Sequence, residues 1–240
     1  WLTSKGFWQT ETEVELLPEA IKQIAKTKGI NLPPLVAIAG PVKASECASA
    51  KPTATVFACR DYELAKRYAK TVTTPNYSVT PSQDEIGVEV CAALKNIYAI
   101  ALGIADGMSA ADEQPRDNLR AAIFVQAVAE MASICHALGG DLQTAYGLAG
   151  MGDLQLTSTA GRSRLYGHAV GAGQNPRQAL EQMQSQGLTI EGSPAALIAH
   201  QLVQQLGLNA PLLEAVYQML HGHVDDARAL ICAVALGVDA

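Results

Sequence analysis

The chain has 240 residues, 49% of them hydrophobic and 17% charged, which is long enough for one large domain or two small ones and too apolar for disorder. Against 23 Asp and Glu stand 17 Lys and Arg, and the net charge of -6 excludes a generally basic nucleic-acid binder. Cys47, Cys59, Cys91, Cys135 and Cys232 are scattered, odd in number and without a CxxC pair, which excludes a disulfide framework, argues against a metal site and points to reduced, buried thiols in the cytoplasm.

The opening residues, Trp1-Leu2-Thr3-Ser4-Lys5-Gly6, lack a basic region followed by an apolar stretch, so no signal peptide is read there. In residues 14–26, Val14, Leu17, Ile21 and Ile24 recur at helical spacing. Residues 35–39 form a short apolar run that stops at Gly40-Pro41 and reads as a buried strand. Residues 53–59 are β-branched and apolar, 61–72 read as a helix, and 77–80 as a weaker third strand. Strands alternating with helices suggest a piece of a parallel α/β sheet.

Beyond Ser82 the β-branched runs vanish, and a domain boundary is placed between residues 82 and 83. Asp84 or a neighbour caps a long helix to about Ala105, closed by Asp106-Gly107. The apolar stretch 86–105 is broken by Glu89, Lys95 and Asn96, which makes it a poor membrane span. A second helix over 117–138 stops at Gly139-Gly140. Shorter helices are predicted over 142–148, 162–170, 176–185, 194–206, 211–220 and 225–236, with Pro176, Pro194 and Pro211 near their starts. The expected architecture is an α/β piece followed by an all-helical domain, predominantly helical overall.

Three features carry chemistry. Lys95-Asn96 interrupts a helix that is apolar on nearly all faces, so Lys95 must lose hydration or find partners. Desolvation or a second cation would lower its pKa and let it act as a base; the alternative is an aliphatic stem that carries the amine to water. The stretch Gly147-Leu-Ala-Gly150-Met-Gly152-Asp153-Leu154 follows, with Thr157 and Gly161-Arg162-Ser163-Arg164 after it. Residues 154–180 hold no Asp or Glu but carry Arg162, Arg164, Arg177 and His168. That local positive charge suits a phosphorylated small molecule, and a capping loop with solvated arginines explains it equally well. The histidines show no metal-ligand spacing, and no GxGxxG, Walker loop, GxSxG or HExxH is present.

These residues, in order, resemble the NAD(P)-dependent glycerol-3-phosphate dehydrogenases of bacterial type. Thr3-Ser4-Lys5-Gly6, Gly40-Pro41-Val42-Lys43-Ala44-Ser45-Glu46, Gly87-Val88-Glu89 through Lys95-Asn96 to Ile100, Ala129-Glu130-Met131, Gly147 to Leu154, and Glu191-Gly192 each match a family segment. The resemblance implies a Rossmann cofactor domain, of which residues 1–82 are the later part, and a helical substrate domain of the kind found in 6-phosphogluconate dehydrogenase. It implies interconversion of glycerol 3-phosphate and dihydroxyacetone phosphate by hydride transfer with NAD or NADP. A half sheet should expose strand edges and apolar faces, which predicts association through that surface, as a homodimer or by aggregation.

By the same resemblance Lys95 is the general base, Lys5 a second active-site lysine that also meets the cofactor, and Asp153 and Thr157 the residues that hold lysine and substrate. Gly40, Asn96, Arg162 and Ser163 fall at substrate-binding positions, and Arg162 and Glu191 at cofactor-binding ones. Three departures stand out: Val42 replaces Ser or Thr, Ser163 replaces Asn, and Gln126 replaces Arg. The glycine-rich cofactor loop is expected before Trp1. The alternative is a homologue that has lost catalysis and binds a phosphorylated ligand or dimerises.

Overall fold

The computed structural model describes residues 1–10, 14–224 and 226–238. They pack as two compact units, Trp1–Ala93 with Met131–Leu156 and Leu94–Glu130 with Thr157–Ala240. Packing therefore groups residues 131–156 with the N-terminal part of the chain.

The first unit opens with a hairpin, β1 (Phe7–Gln9) antiparallel to β2 (Val14–Leu16), in which Phe7 faces Leu16. The sequence expectation extended the first helix back to Val14; instead α1 runs Leu17–Thr27. Pro18 lies in its first turn, where a missing N–H costs nothing, and the residues before it are left to the hairpin. A three-stranded sheet follows, in the order β3 (Ala37–Ala39), β4 (Thr53–Ala58), β5 (Tyr77–Ser82). The strands β4 and β5 are parallel and joined by α3 (Tyr62–Val72), whose first turn is capped by the Asp61 carboxylate. The expectation of a parallel sheet fails at β3, which is antiparallel to β4. Its connection carries only the five-residue α2 (Ala44–Ala48), too little for the crossover helix that a parallel pair needs.

Alternation along β4 divides the sheet's two faces. Phe57 and Cys59 point into a cluster with Ala65 and Ala69 of α3. Val56 and Ala58 point into another with Val88 and Ala92 of α4 (Glu85–Asp112) and with Ala149. Leu2 meets the outer edge of β3 by hydrogen bonds to Val36 and from Ile38.

Asp84 starts α4 as expected, and it does more. Its carboxylate accepts from Gly87 N at 2.8 Å, from Asp141 N at 2.9 Å and from Thr144 Oγ1 at 2.6 Å. It thereby joins the start of α4 to the start of α6 (Leu142–Tyr146). A Cβ at Gly87 would lie 2.0 Å from the Asp84 carboxylate, so the glycine is required for this cap. After α6 a π turn, Leu148–Gly152, leads into α7 (Asp153–Ala160). Sequence periodicity does not distinguish such a turn from the end of a helix.

In the second unit the remainder of α4 and most of α5 (Asp117–Ala137) pack with α8 (Arg162–Gly171), α9 (Pro176–Ser185), α10 (Gly192–Leu206), α11 (Pro211–Leu220) and α12 (Ala227–Leu236). Asp225, where the sequence reading begins the last helix, lies outside the described residues. Asp106-Gly107 does not close α4, which continues through both to Asp112. The reason is a close crossing with α8. A Cβ at Gly103 would lie 2.2 Å from Arg164 O, and one at Gly107 2.1 Å from His168 O. The contact is reciprocal: a Cβ at Gly167 would lie 2.0 Å from Ile100 O, and one at Gly171 2.1 Å from Ile104 O. Asp106 accepts from Arg120 Nε at 3.0 Å and Arg164 Nε at 2.9 Å, tying three helices together. By length and composition alone α4 and α5 could cross a membrane, but the apolar window of α4 is 94% buried within the protein.

Candidate active site

In the first unit the short π turn delivers Asp153 to the N-terminus of α7, where its side chain is buried. Lys5 Nζ donates to Asp153 Oδ2 at 3.5 Å. The lysine remains 30% exposed, so a sequence separation of 148 residues is closed at the surface of a buried carboxylate. A cavity of about 370 Å³ is lined by Lys5, Gly40, Val42, Thr55 and Phe57 among others. Gly40 has φ +146, and a Cβ there would meet Thr55 Cα at 2.9 Å. The bend after β3 therefore requires glycine for packing, independently of any ligand. Val42, one of the three departures, presents a hydrocarbon to this cavity where a hydroxyl would offer a hydrogen bond.

Glu89 lies on α4 in the same unit. It is 2% exposed, and its Oε2 has no hydrogen-bond partner. Burial, reinforced by the charge of Glu85 one turn earlier, pushes its pKa up to about 8 against the pull of Lys5. Sequence alone assigns Glu89 no chemical role. The available signal was a carboxylate in an otherwise apolar helix, six positions before Lys95.

In the second unit four candidates converge. Glu191 precedes α10 and accepts from Arg162 Nη2 at 2.6 Å and from Asn96 Nδ2 at 2.9 Å. Ser163, in the first turn of α8, accepts from Gly192 N at 3.2 Å. A Cβ at Gly192 would lie 2.5 Å from Asn96 O, so α10 begins against the backbone of α4. Lys95, adjacent to Asn96 in α4, is 8% exposed. The expectation that this lysine loses its hydration is met, and an amine carried out to bulk water is not what the structure has. Thr157 is half-buried on α7, and its carbonyl accepts from Gly161 N at 2.9 Å.

The positive patch expected over residues 154–180 is not one surface. Arg164 is turned inward onto Asp106, Arg177 pairs with Glu181, and Arg162 pairs with Glu191. Carboxylates outside the acid-free stretch neutralise its arginines, which counting within a window cannot reveal. Of the three, Arg162 is the one joined to other candidate residues. Gln126, another departure, donates to Glu130 Oε1 at 2.9 Å within α5. A larger surface depression of about 510 Å³ near Arg116, Asp117 and Cys232 contains none of the candidates. Among the described residues no group of three or more His, Cys, Asp or Glu could hold a metal ion.

Residues 2–65 match the family model described as NAD-dependent glycerol-3-phosphate dehydrogenase N-terminus, and residues 84–230 match that of its C-terminus. A glycerol-3-phosphate dehydrogenase [NAD(P)+] of Symbiobacterium thermophilum is 40% identical over 189 residues, covering 78% of this chain and 53% of the relative. An NADP(+)-dependent glycerol-3-phosphate dehydrogenase of Archaeoglobus fulgidus is 33% identical over 221 residues, covering 92% of this chain and 65% of the relative. The crystal structure of a glycerol-3-phosphate dehydrogenase from Coxiella burnetii superposes with TM-score 0.79 at 33% identity, covering 92% of this chain and 64% of that one. The chain thus spans between about half and two thirds of the length of these proteins.

Proposed function

The chain belongs to the NAD-dependent glycerol-3-phosphate dehydrogenase family, and on that premise we propose that it serves the interconversion of glycerol 3-phosphate and dihydroxyacetone phosphate. The observation that carries the reading is the network joining Asn96, Arg162 and Glu191, beside a lysine that is 8% exposed.

Lys95 is the proton acceptor in this reading. During oxidation of the alcohol its neutral amine takes the hydroxyl proton, and during reduction its ammonium returns that proton to the carbonyl oxygen. A nicotinamide cofactor, NAD or NADP, supplies the hydride acceptor or donor when bound. In the second unit Arg162, with a planar fork of donors, and Asn96 hold the phosphate end of the substrate, with Ser163 and Thr157 as further polar contacts. In the first unit Asp153 pairs with Lys5 at 3.5 Å, and Gly40 lets the backbone approach a ligand.

The exposed polar side chains suit part of the cofactor. Arg162 and Glu191 have side chains 48% and 52% exposed, a guanidinium fitted to a phosphate oxygen and a carboxylate fitted to a ribose hydroxyl. Lys5 contributes a second cation. We read the working protein as a cytoplasmic homodimer.

The test is NADH or NADPH oxidation with dihydroxyacetone phosphate by the 240-residue chain. Lys95→Ala should lower kcat by about 10²-fold or more, the range for loss of a general acid–base group. Turnover unchanged in that variant would remove Lys95 from the chemistry. Absence of turnover in the parent chain, with calorimetric binding of glycerol 3-phosphate that is lost in Arg162→Ala, would instead support a ligand-binding protein without catalysis.

A further inference from the structure

The two donors that the reading under Proposed function gives to the substrate phosphate are already in use. Arg162 Nη2 donates to Glu191 Oε1 at 2.6 Å, and Asn96 Nδ2 donates to Glu191 Oε2 at 2.9 Å. Each oxygen of one carboxylate therefore takes one of the two N–H groups. To such donors a carboxylate and a phosphate monoester are alike, since both offer a pair of negatively charged oxygens. A phosphate cannot take over these two N–H groups while the carboxylate keeps them.

The surroundings hold the backbone at Glu191 and leave its side chain loose. Gly192 N donates to Ser163 Oγ at 3.2 Å. A Cβ at Gly192 would lie 2.5 Å from Asn96 O and 2.8 Å from Ile100 Cδ1, so the start of α10 is seated directly on α4. The Glu191 side chain makes no capping hydrogen bond to its own helix. It is 52% exposed, against 48% for the Arg162 side chain. The carboxylate can therefore leave its two donors by rotation about side-chain bonds, with no shift of α10. Once released it stays beside the N-terminus of α10, where the helix dipole favours negative charge.

We propose that Glu191 is an internal competitor for the substrate's phosphate: its carboxylate occupies the seat formed by Arg162 and Asn96 until a phosphate monoester displaces it. The ligand class follows from the exchange. The incoming anion must replace two hydrogen bonds made to a charged group, and a phosphate monoester brings a charge of about -2 and three acceptor oxygens to do so. No covalent bond changes; one anion replaces another on the same donors. An exposed ion pair favours the occupied form by a few-fold, to about fivefold at most, and the apparent dissociation constant for phosphate rises in proportion. The proposal rests on the assignment of Arg162 and Asn96 to the phosphate.

The test is calorimetric titration of the 240-residue chain and its variants with inorganic phosphate and with glycerol 3-phosphate, at fixed ionic strength, followed in parallel by the side-chain amide signals of Asn96 in ¹⁵N NMR. Glu191→Gln keeps the shape and removes the charge, so both ligands should bind about two- to fivefold more tightly than in the parent. Glu191→Ala, which leaves the seat empty, should move affinity in the same direction. Glu191 is half-exposed and caps nothing, so neither substitution endangers the fold. In the parent, either ligand should shift the Asn96 amide, and Arg162→Ala should abolish binding. Unchanged or weaker binding in both Glu191 variants would overturn the proposal, because the carboxylate would then be a support that orients Arg162. That result leaves the phosphate assignment standing provided the parent binds and Arg162→Ala does not. An Asn96 amide unmoved by either ligand in the parent and in both Glu191 variants would instead remove phosphate from these residues, and the proposal with it.

Discussion

Glu89 and Glu130 are both carboxyls buried in apolar helices, with opposite environments. Glu130 accepts from Tyr98 Oη, Gln126 Nε2, Leu212 N and Leu213 N, and so caps α11 from the side of α5. Burial raises its pKa, and these four hydrogen bonds oppose the rise. Removing it with Glu130→Ala strands several buried donors and should cost at least about 3 kcal/mol by urea unfolding; a loss within experimental error would mean water replaces the carboxylate. Glu89 has no such compensation. Its folded pKa of about 8 lies above the ordinary 4.5, so the folded state holds a proton that the unfolded state has lost. Stability from this group therefore falls as pH rises from 4.5 through 8 and is level beyond. Glu89→Gln removes that slope. Relative to the parent it should gain with pH across the window, reaching about 3 kcal/mol as an upper bound near neutrality. Urea midpoints at acid, neutral and alkaline pH check this, and a gain that shrinks with pH would show the carboxyl to be ionised when folded.

The elements show what a single sequence can and cannot disclose. Asp84, the glycines after α5 and the prolines at α9 and α11 are local signals, and the helix boundaries fall where they point. The errors arise where a distant partner decides. Gly107 reads as a stop signal, yet α4 runs on because α8 packs against its backbone. Val14–Leu16 carries helical spacing, yet pairs with β1. The candidate site divides in the same way: Lys95 and Asn96 were legible as polar residues breaking an apolar helix, whereas the capture of Arg164 by Asp106 depends on a contact 58 residues away. Gly167→Ala should force apart two helices whose backbones touch, with a cost of about 3 kcal/mol or more from strain and lost packing. Asp84→Ala should cost about 2 kcal/mol, since it uncaps α4 and releases the start of α6. Thermal unfolding of each variant is the measurement, and a Tm equal to the parent's would contradict the corresponding contact.

At the level of the whole molecule, large apolar side chains are exposed along the whole chain: Trp1 and Ile30 are 64% and 55% exposed, and Val125 and Leu236 are 68% and 66% exposed. Covering such surface drives association, so light scattering should give a dimer of the 25.2 kDa chain; a monomer throughout a concentration series would refute this. Within the second unit, the crossing of α4 and α8 has a mechanical consequence. Four glycines remove the side-chain cushion that lets packed helices slide. The two rods meet like halves of a lap joint, in which neither can be pushed along the other by even one methyl's width. Asn96 is carried on one rod, with Arg162 and Ser163 at the end of the other. Whatever rearranges at these residues, the spacing between the rods is the dimension that stays constant.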